Sequence, residues 1–124
     1  MGRVEVDEVE IRISGIGDYR AIDDIVDDFL KKLGFKFIWT DPDIPLVKTG
    51  FTEFQGVFSY YRRDTKLYEL RGSYRLYGNT FEFEGRVEYV DPKEMSKAEK
   101  EHLKSVLKDY GDDEDFEALQ HYFF

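Results

Sequence analysis

The sequence contains no cysteine. Disulfides, thiol nucleophiles and cysteine-ligated metal centres are thereby excluded, while the compartment stays open. Asparagine and glutamine are scarce: Asn79 is the sole asparagine, and Gln55 and Gln120 are the sole glutamines. Histidine is nearly absent too, at His102 and His121. Neither has a nucleophile or metal-ligand spacing around it, so a surface or packed role is expected for both. No phosphate-binding loop, zincin motif or nucleophile elbow is present. Gly15-Ile16-Gly17 lacks the third glycine of a dinucleotide turn, where Arg20 stands instead. No apolar run approaches a membrane span, and Met1-Gly2-Arg3-Val4-Glu5 does not read as a signal peptide. A cytoplasmic location is expected.

Positive charge is also in deficit. Eighteen bases face 27 acids, for a net charge of −9. That argues against nucleic acid or an anionic membrane as the main partner. A basic protein or a cation remains compatible. Charged residues reach 36% with few thermolabile ones, a composition resembling that of thermophile proteins. At 124 residues the chain is expected to form a single domain over 1–124. A domain of this size buries roughly two-thirds of its unfolded surface and needs no staple.

What is abundant is the aromatic class, with 11 phenylalanines and 9 tyrosines. Many fall in three alternating segments, at about 51–61, 66–77 and 80–90. Each carries a mid-strand glycine: Gly56, Gly72 and Gly85. Gly78-Asn79 is a two-residue hairpin signal. Pairing Tyr77 with Thr80 sets Gly72 opposite Gly85, Tyr74 opposite Phe83 and Leu70 opposite Val87. Closing the preceding turn with Arg62 opposite Lys66 sets Gly56 opposite Gly72. The glycines then form a line across three strands, which predicts a strongly curved sheet. The other face carries charges in register: Glu53, Arg75 and Glu82 line up, Arg71 lies beside Arg86, and Glu69 faces Glu88.

Elsewhere, residues 3–13 read as a strand with a bulge at Asp7-Glu8. A turn at Ser14-Gly15-Ile16-Gly17 follows. Asp18 caps a helix over 19–33 with Gly34 as its stop and Ile22, Ile25, Val26, Phe29, Leu30 and Leu33 as its apolar stripe. Phe35–Thr40 is a short strand, and 41–50 a loop. After Asp91-Pro92, two helix starts compete, one at Asp91 and one at Ser96. The helix that follows ends at Gly111, with Leu103, Val106, Leu107 and Tyr110 as its stripe. An acidic run, Asp112 to Asp115, leads into a short aromatic element. The fold class is α+β, in the order β-α-β-β-β-β-α, with the curved antiparallel sheet packed on helix 19–33. This order resembles the cystatin/NTF2-like arrangement.

Three groups of residues are candidate sites. Phe54, Gly56, Phe58, Gly72, Tyr74, Phe83 and Gly85 form a concave aromatic face, either a ligand pocket or the core beneath the helix. Phe116, Leu119, Tyr122, Phe123 and Phe124 form either a self-docked tail or a docking segment for a partner. The closing Phe123-Phe124 resembles the aromatic pair that ends sliding-clamp-binding peptides, although Glu117 and Gln120 depart from that motif. Asp23 and Asp27, with Asp24 and Asp28, make carboxylate pairs at helical spacing that either face solvent or hold a hard cation.

Glu8-Val9-Glu10-Ile11-Arg12 resembles the ExExK opening of the CYTH family, tunnel-fold enzymes acting on triphosphates with divalent metal. Arg12 replaces the family's lysine, and the chain is short for such a tunnel. The resemblance implies Glu8 and Glu10 as metal ligands and Arg12 as a phosphate contact. It maps later basic positions onto Arg71, Arg75 and Arg86. The composition favours a non-enzymatic interaction domain that needs no cofactor. Its expected partner is a protein, basic or offering an apolar groove, met through the acidic surface and the C-terminal aromatic segment. The alternatives are a small apolar ligand, or an enzyme using the concave face. A homodimer is a further possibility, through the strand at 51–61 if that strand lies near a sheet edge.

Overall fold

The computed structural model describes residues 9–16, 19–40, 47–48 and 53–124. The expected strand start over 3–8 with its bulge, the Asp18 cap and most of the 41–50 loop lie outside these residues. The strands are β1 (Val9–Ile16), β2 (Lys36–Trp39), β3 (Val47–Lys48), β4 (Glu53–Arg63), β5 (Lys66–Tyr77) and β6 (Thr80–Tyr89). They form one antiparallel sheet in the order β1-β6-β5-β4-β2, with β3 also pairing β4. The helices are α1 (Tyr19–Lys32), α2 (Lys97–Tyr110) and α3 (Asp113–Leu119), and a 3-10 turn spans Gln120–Tyr122. The class is α+β.

The glycine row is present. Gly56 pairs with Gly72, and Gly72 with Gly85. Tyr77↔Thr80, Tyr74↔Phe83 and Leu70↔Val87 also pair as the hairpin arithmetic requires. One detail differs. The β4–β5 turn closes with Arg63, not Arg62, opposite Lys66. The chain turns within Asp64-Thr65, and Asp64 adopts a positive φ of 55°. A bulge between Val57 and Ser59 absorbs the one-residue slip, so Gly56 still meets Gly72.

The sheet is not strongly curled, contrary to the curvature expected from the glycines. They serve close approach instead. A Cβ on Gly72 would lie 2.4 Å from the Glu84 carbonyl oxygen and 2.6 Å from the Gly85 Cα. A Cβ on Gly85 would lie 2.6 Å from the Phe83 ring. The ring of Phe83 thus takes the space that a side chain at 85 would need.

Two corrections concern local structure. Ser14, Gly15 and Ile16 continue β1, paired with Glu82, Phe81 and Thr80, and do not turn. The loop after β2 contains β3, whose Val47 and Lys48 pair with Gln55 and Phe54. The helix signals hold at their ends. Gly34, at φ 88°, follows α1, and Gly111 stops α2 by donating its N–H to the Leu107 carbonyl. Of the two competing starts, Ser96 wins: its Oγ accepts from the Glu99 N–H at 3.1 Å. Asp91 instead closes a turn by accepting from the Lys93 N–H.

The sheet is buried on both faces, but not everywhere. On one face Val26 and Leu30 of α1 meet Ile11, Phe35, Tyr61, Tyr68, Leu70, Tyr74, Phe81, Phe83 and Val87. Ile25, Phe29 and Leu33 of the expected stripe stay 42–48% exposed, and the side chain of Ile22 lies outside the described residues. On the other face Leu103, Val106, Leu107, Leu119 and Tyr122 cover Ile38, Trp39, Tyr60 and Leu67. That second layer was not foreseen, because alternation alone predicts one wet face. A bulge between Phe37 and Trp39 helps build it. It delivers both Ile38 and Trp39 to the α2 side, where Trp39 stacks between Tyr60 and Tyr110. Among the described residues no helix is long and apolar enough to cross a membrane.

Gly72→Ala is expected to lower unfolding stability by about 2–3 kcal/mol, because its clash is with backbone. Gly78→Ala meets open space and pays only for its φ of 63°, about 1 kcal/mol. Denaturant titration of the two variants checks this ranking.

Candidate interaction surface

The cover supplied by α2 and α3 reaches only part of the second face. Beyond it, cross-strand pairing places polar side chains in rows. One row runs Glu10–Arg86–Arg71, the next Arg12–Glu84–Ser73–Gln55, the third Ser14–Glu82–Arg75–Glu53. The expected alignment of Glu53, Arg75 and Glu82 is found, as are the Arg71–Arg86 and Glu69–Glu88 pairs. Four arginines and four glutamates share these rows, so the surface is locally neutral on an acidic protein.

Local ion pairs hold the side chains. Arg12 Nε sits 3.1 Å from Glu84, Arg86 Nη2 3.1 Å from Glu10, and Arg75 Nε 3.3 Å from Glu53. Arg71 Nη2 reaches back to Glu69 at 3.3 Å, and Arg86 Nη1 lies 3.9 Å from Glu88. Burial pushes the Glu69 carboxyl above its usual range, against the lowering effect of Arg71. Most of these pairs are exposed, and each adds at most about 1 kcal/mol. Two depressions of about 230 and 250 Å³ lie on this face. Arg12 and Ser73 border both, while Gly72 and Gly85 help form the floor of the second.

The aromatic candidates divide. Tyr74 and Phe83 are buried, and Phe58 is half-buried against the same core, edge-on to Phe83 at 5.2 Å. Phe54 stands opposite Tyr74 in β4, and its side chain lies outside the described residues. The C-terminal candidates divide as well. Leu119 and Tyr122 are wholly buried. Tyr122 Oη accepts the Leu67 N–H at 2.8 Å, and burial raises its hydroxyl pKa. Phe116 and Phe123 are partly buried against the same cluster. Phe124 is 77% exposed, with Lys104 Nζ 4.1 Å from its ring centre.

The carboxylate candidates do not converge. Glu8 and the side chain of Asp23 lie outside the described residues. Glu10 is paired with Arg86, and Asp27 accepts a 2.7 Å hydrogen bond from Tyr61 Oη. Among the described residues no three histidine, aspartate or glutamate side chains group as a metal site.

The acidic run holds a role that sequence reasoning missed. Asp112 and Asp115 form a capping box for α3: the Asp112 side chain accepts the Asp115 N–H, and the Asp115 side chain accepts the Asp112 N–H. Asp115 is also buried, with Arg62 Nε at 2.6 Å and Lys36 Nζ at 3.1 Å. The Asp-x-x-Asp spacing before an apolar residue was the available signal. Lys36 Nζ reaches Asp112 as well, at 2.6 Å, which raises the lysine pKa and holds the Asp112 carboxyl at about 2.

Comparison of the chain with known protein families, curated proteins and solved structures finds no match.

Two carboxylates give opposite acid responses. The Asp112 value lies below its usual 3.8, so its contribution is present above pH 4 and is lost as pH falls toward 2. Burial raises the Asp27 carboxyl, so the fold gains stability as pH falls through that raised value. In thermal melts from pH 7 to pH 2, Asp112→Asn should weaken the acid loss and Asp27→Asn should remove the gain.

Proposed function

We propose that the protein is a non-enzymatic interaction domain that binds a protein partner. The observation that carries this reading is the uncovered half of the second sheet face. It is locally neutral and studded with arginines, and the carboxylates paired with Arg12 and Arg86, Glu84 and Glu10, are themselves exposed. A partner's carboxylates can exchange with the exposed pairs at little desolvation cost, and the opposed Arg71 and Arg86 are placed to donate hydrogen bonds to them. The acidic remainder of the surface repels wrong partners of like charge. Leu119 and Tyr122 serve the core, so of the aromatic tail Phe124, flanked by Phe116, is left for a partner. The resemblance to the cystatin/NTF2-like arrangement rests on element order and adds no function.

One observation favours a second reading. Glu10, Arg12, Arg71, Arg75 and Arg86, to which the CYTH resemblance assigns roles, fall on this same face. A polyphosphate with a divalent cation is the ligand that reading requires.

One experiment separates them. Wild type and an Arg71→Glu/Arg86→Glu variant serve as bait in lysate of the source organism. Parallel calorimetry titrates both with inorganic triphosphate and Mn²⁺. Protein binding predicts a retained partner that the variant loses and Lys108→Glu keeps, with no triphosphate heat. Triphosphate heat in wild type alone transfers the assignment to the second reading. Identical proteins retained by both baits overturn the interaction face.

A further inference from the structure

The structure assigns β1 as the seam of a homodimer, in which two copies pair antiparallel about a two-fold axis at Ile11. The expectation of a seam at the strand over 51–61 is corrected first: β4 lies inside the sheet, between β5 and the β2/β3 pair. Among the described residues the sheet ends at β1 on one side, and β1 pairs only with β6. The opposite margin is broken up, with a four-residue β2 carrying a bulge and a two-residue β3.

Among the described residues β1 lacks most of the devices that protect an edge, its charges being confined to Glu10 and Arg12. Its eight residues pair with β6 in one unbroken register, Val9↔Val87 through Ile16↔Thr80. It holds no proline, no lysine and no bulge. Natural edges are usually blunted by one of these, since an unpaired ladder otherwise recruits another strand.

The sequence of β1 also selects a single register. Ile11 is buried at the end of the first core, with Val9 and Ile13 half-buried beside it. Keeping these residues on the core side allows only pairings of equal parity, because a one-residue slip moves them to the other face. Centring on Glu10 sets Glu10 against its own copy, and centring on Arg12 sets Arg12 against its own copy. Both bring like charges together, while centring on Ile13 or on Ser14 leaves Arg12 opposite Ser14 or Ile16 and forms no ion pair across the seam. Centring on Ile11 sets Glu10 against the second copy's Arg12 and Arg12 against its Glu10. Val9 then meets Ile13, and Ile11 meets itself. The rows merge as well. Arg86 and Glu10 of one copy continue into Arg12 and Glu84 of the other, so the sign alternates across the seam. The Glu10 and Arg12 side chains are 69% and 78% exposed, so each, while paired within the chain to Arg86 and to Glu84, can also pair with the second copy. The dimer does not depend on what the open face binds.

Because the chain has no cysteine, a single introduced thiol reports the register. In the pairing centred on Ile11, Ile11→Cys places the two thiols opposite one another. Ser14→Cys places them six residues apart along the seam, about 20 Å. Mild oxidation should give a covalent dimer with Ile11→Cys and none with Ser14→Cys. Cross-linking by both variants, or by neither, overturns the proposal. Sedimentation of the unmodified chain gives an independent reading. Wild type should run at twice the chain mass and Arg12→Glu at the monomer mass with an unchanged circular dichroism spectrum. Adding Glu10→Arg to Arg12→Glu should restore the dimer by recreating opposite charges across the seam. A wild type monomeric at about 100 µM, or an Arg12→Glu variant that stays dimeric, contradicts the assignment.

Discussion

A buried carboxylate joins the end of the chain to the β2 side of the sheet. Asp115 receives Arg62 from β4 and Lys36 from β2, and it caps α3 with the same side chain. Breaking a buried ion pair by removing one partner costs about 3–5 kcal/mol, because the other charge is left without compensation. The Arg62 guanidinium is only 12% exposed, so it has little water to fall back on. This geometry fixes where α3 starts. That start in turn places Leu119 and Tyr122 over Leu67, where the Tyr122 hydroxyl satisfies a backbone N–H. The second layer of the fold is thus seated by charge and filled by apolar groups.

The consequence is a sheet with three environments. One face is packed beneath α1, half of the other is packed beneath α2 and α3, and the remaining half is open to water. The two bulges make this division possible. Without the bulge in β2, Ile38 and Trp39 would point to opposite faces. Without the bulge in β4, the tight turn at Asp64-Thr65 would draw Gly56 out of line with Gly72. The glycines let Phe83 lie flat against the sheet and let Phe58 pack on it. The aromatic face that looked like a pocket therefore carries its own rings. On the half-face beyond α2 and α3, charged side chains are held in rows by pairing instead of by burial.

Much of this was readable from the residues, because strand pairing is local arithmetic. The signal at Gly78-Asn79 set one register, and strict alternation then put Glu53, Arg75 and Glu82 in a row. Helix ends were legible for the same reason: Ser96, Gly34 and Gly111 act within one turn of their own position. What escaped were contacts between distant parts of the chain. Asp115 meets Arg62 across 53 residues, and Tyr122 meets Leu67 across 55. No periodicity records such a meeting. The bulges in β2 and β4 escaped too, since the residues around them were read as unbroken alternation. The acidic run was read only as a lead into the aromatic segment, while its capping role depended on the Asp112–Asp115 spacing.

The central claim is that the C-terminal helices are an integral layer of the sheet. Amide hydrogen exchange at Leu67 tests it most directly, because that N–H is donated to the Tyr122 hydroxyl at the chain's far end. The account predicts that Leu67 exchanges only with global unfolding in the wild type and at least tenfold faster in Asp115→Ala. Rapid exchange at Leu67 in the wild type, while the Gly72 and Val87 amides stay protected, would contradict it.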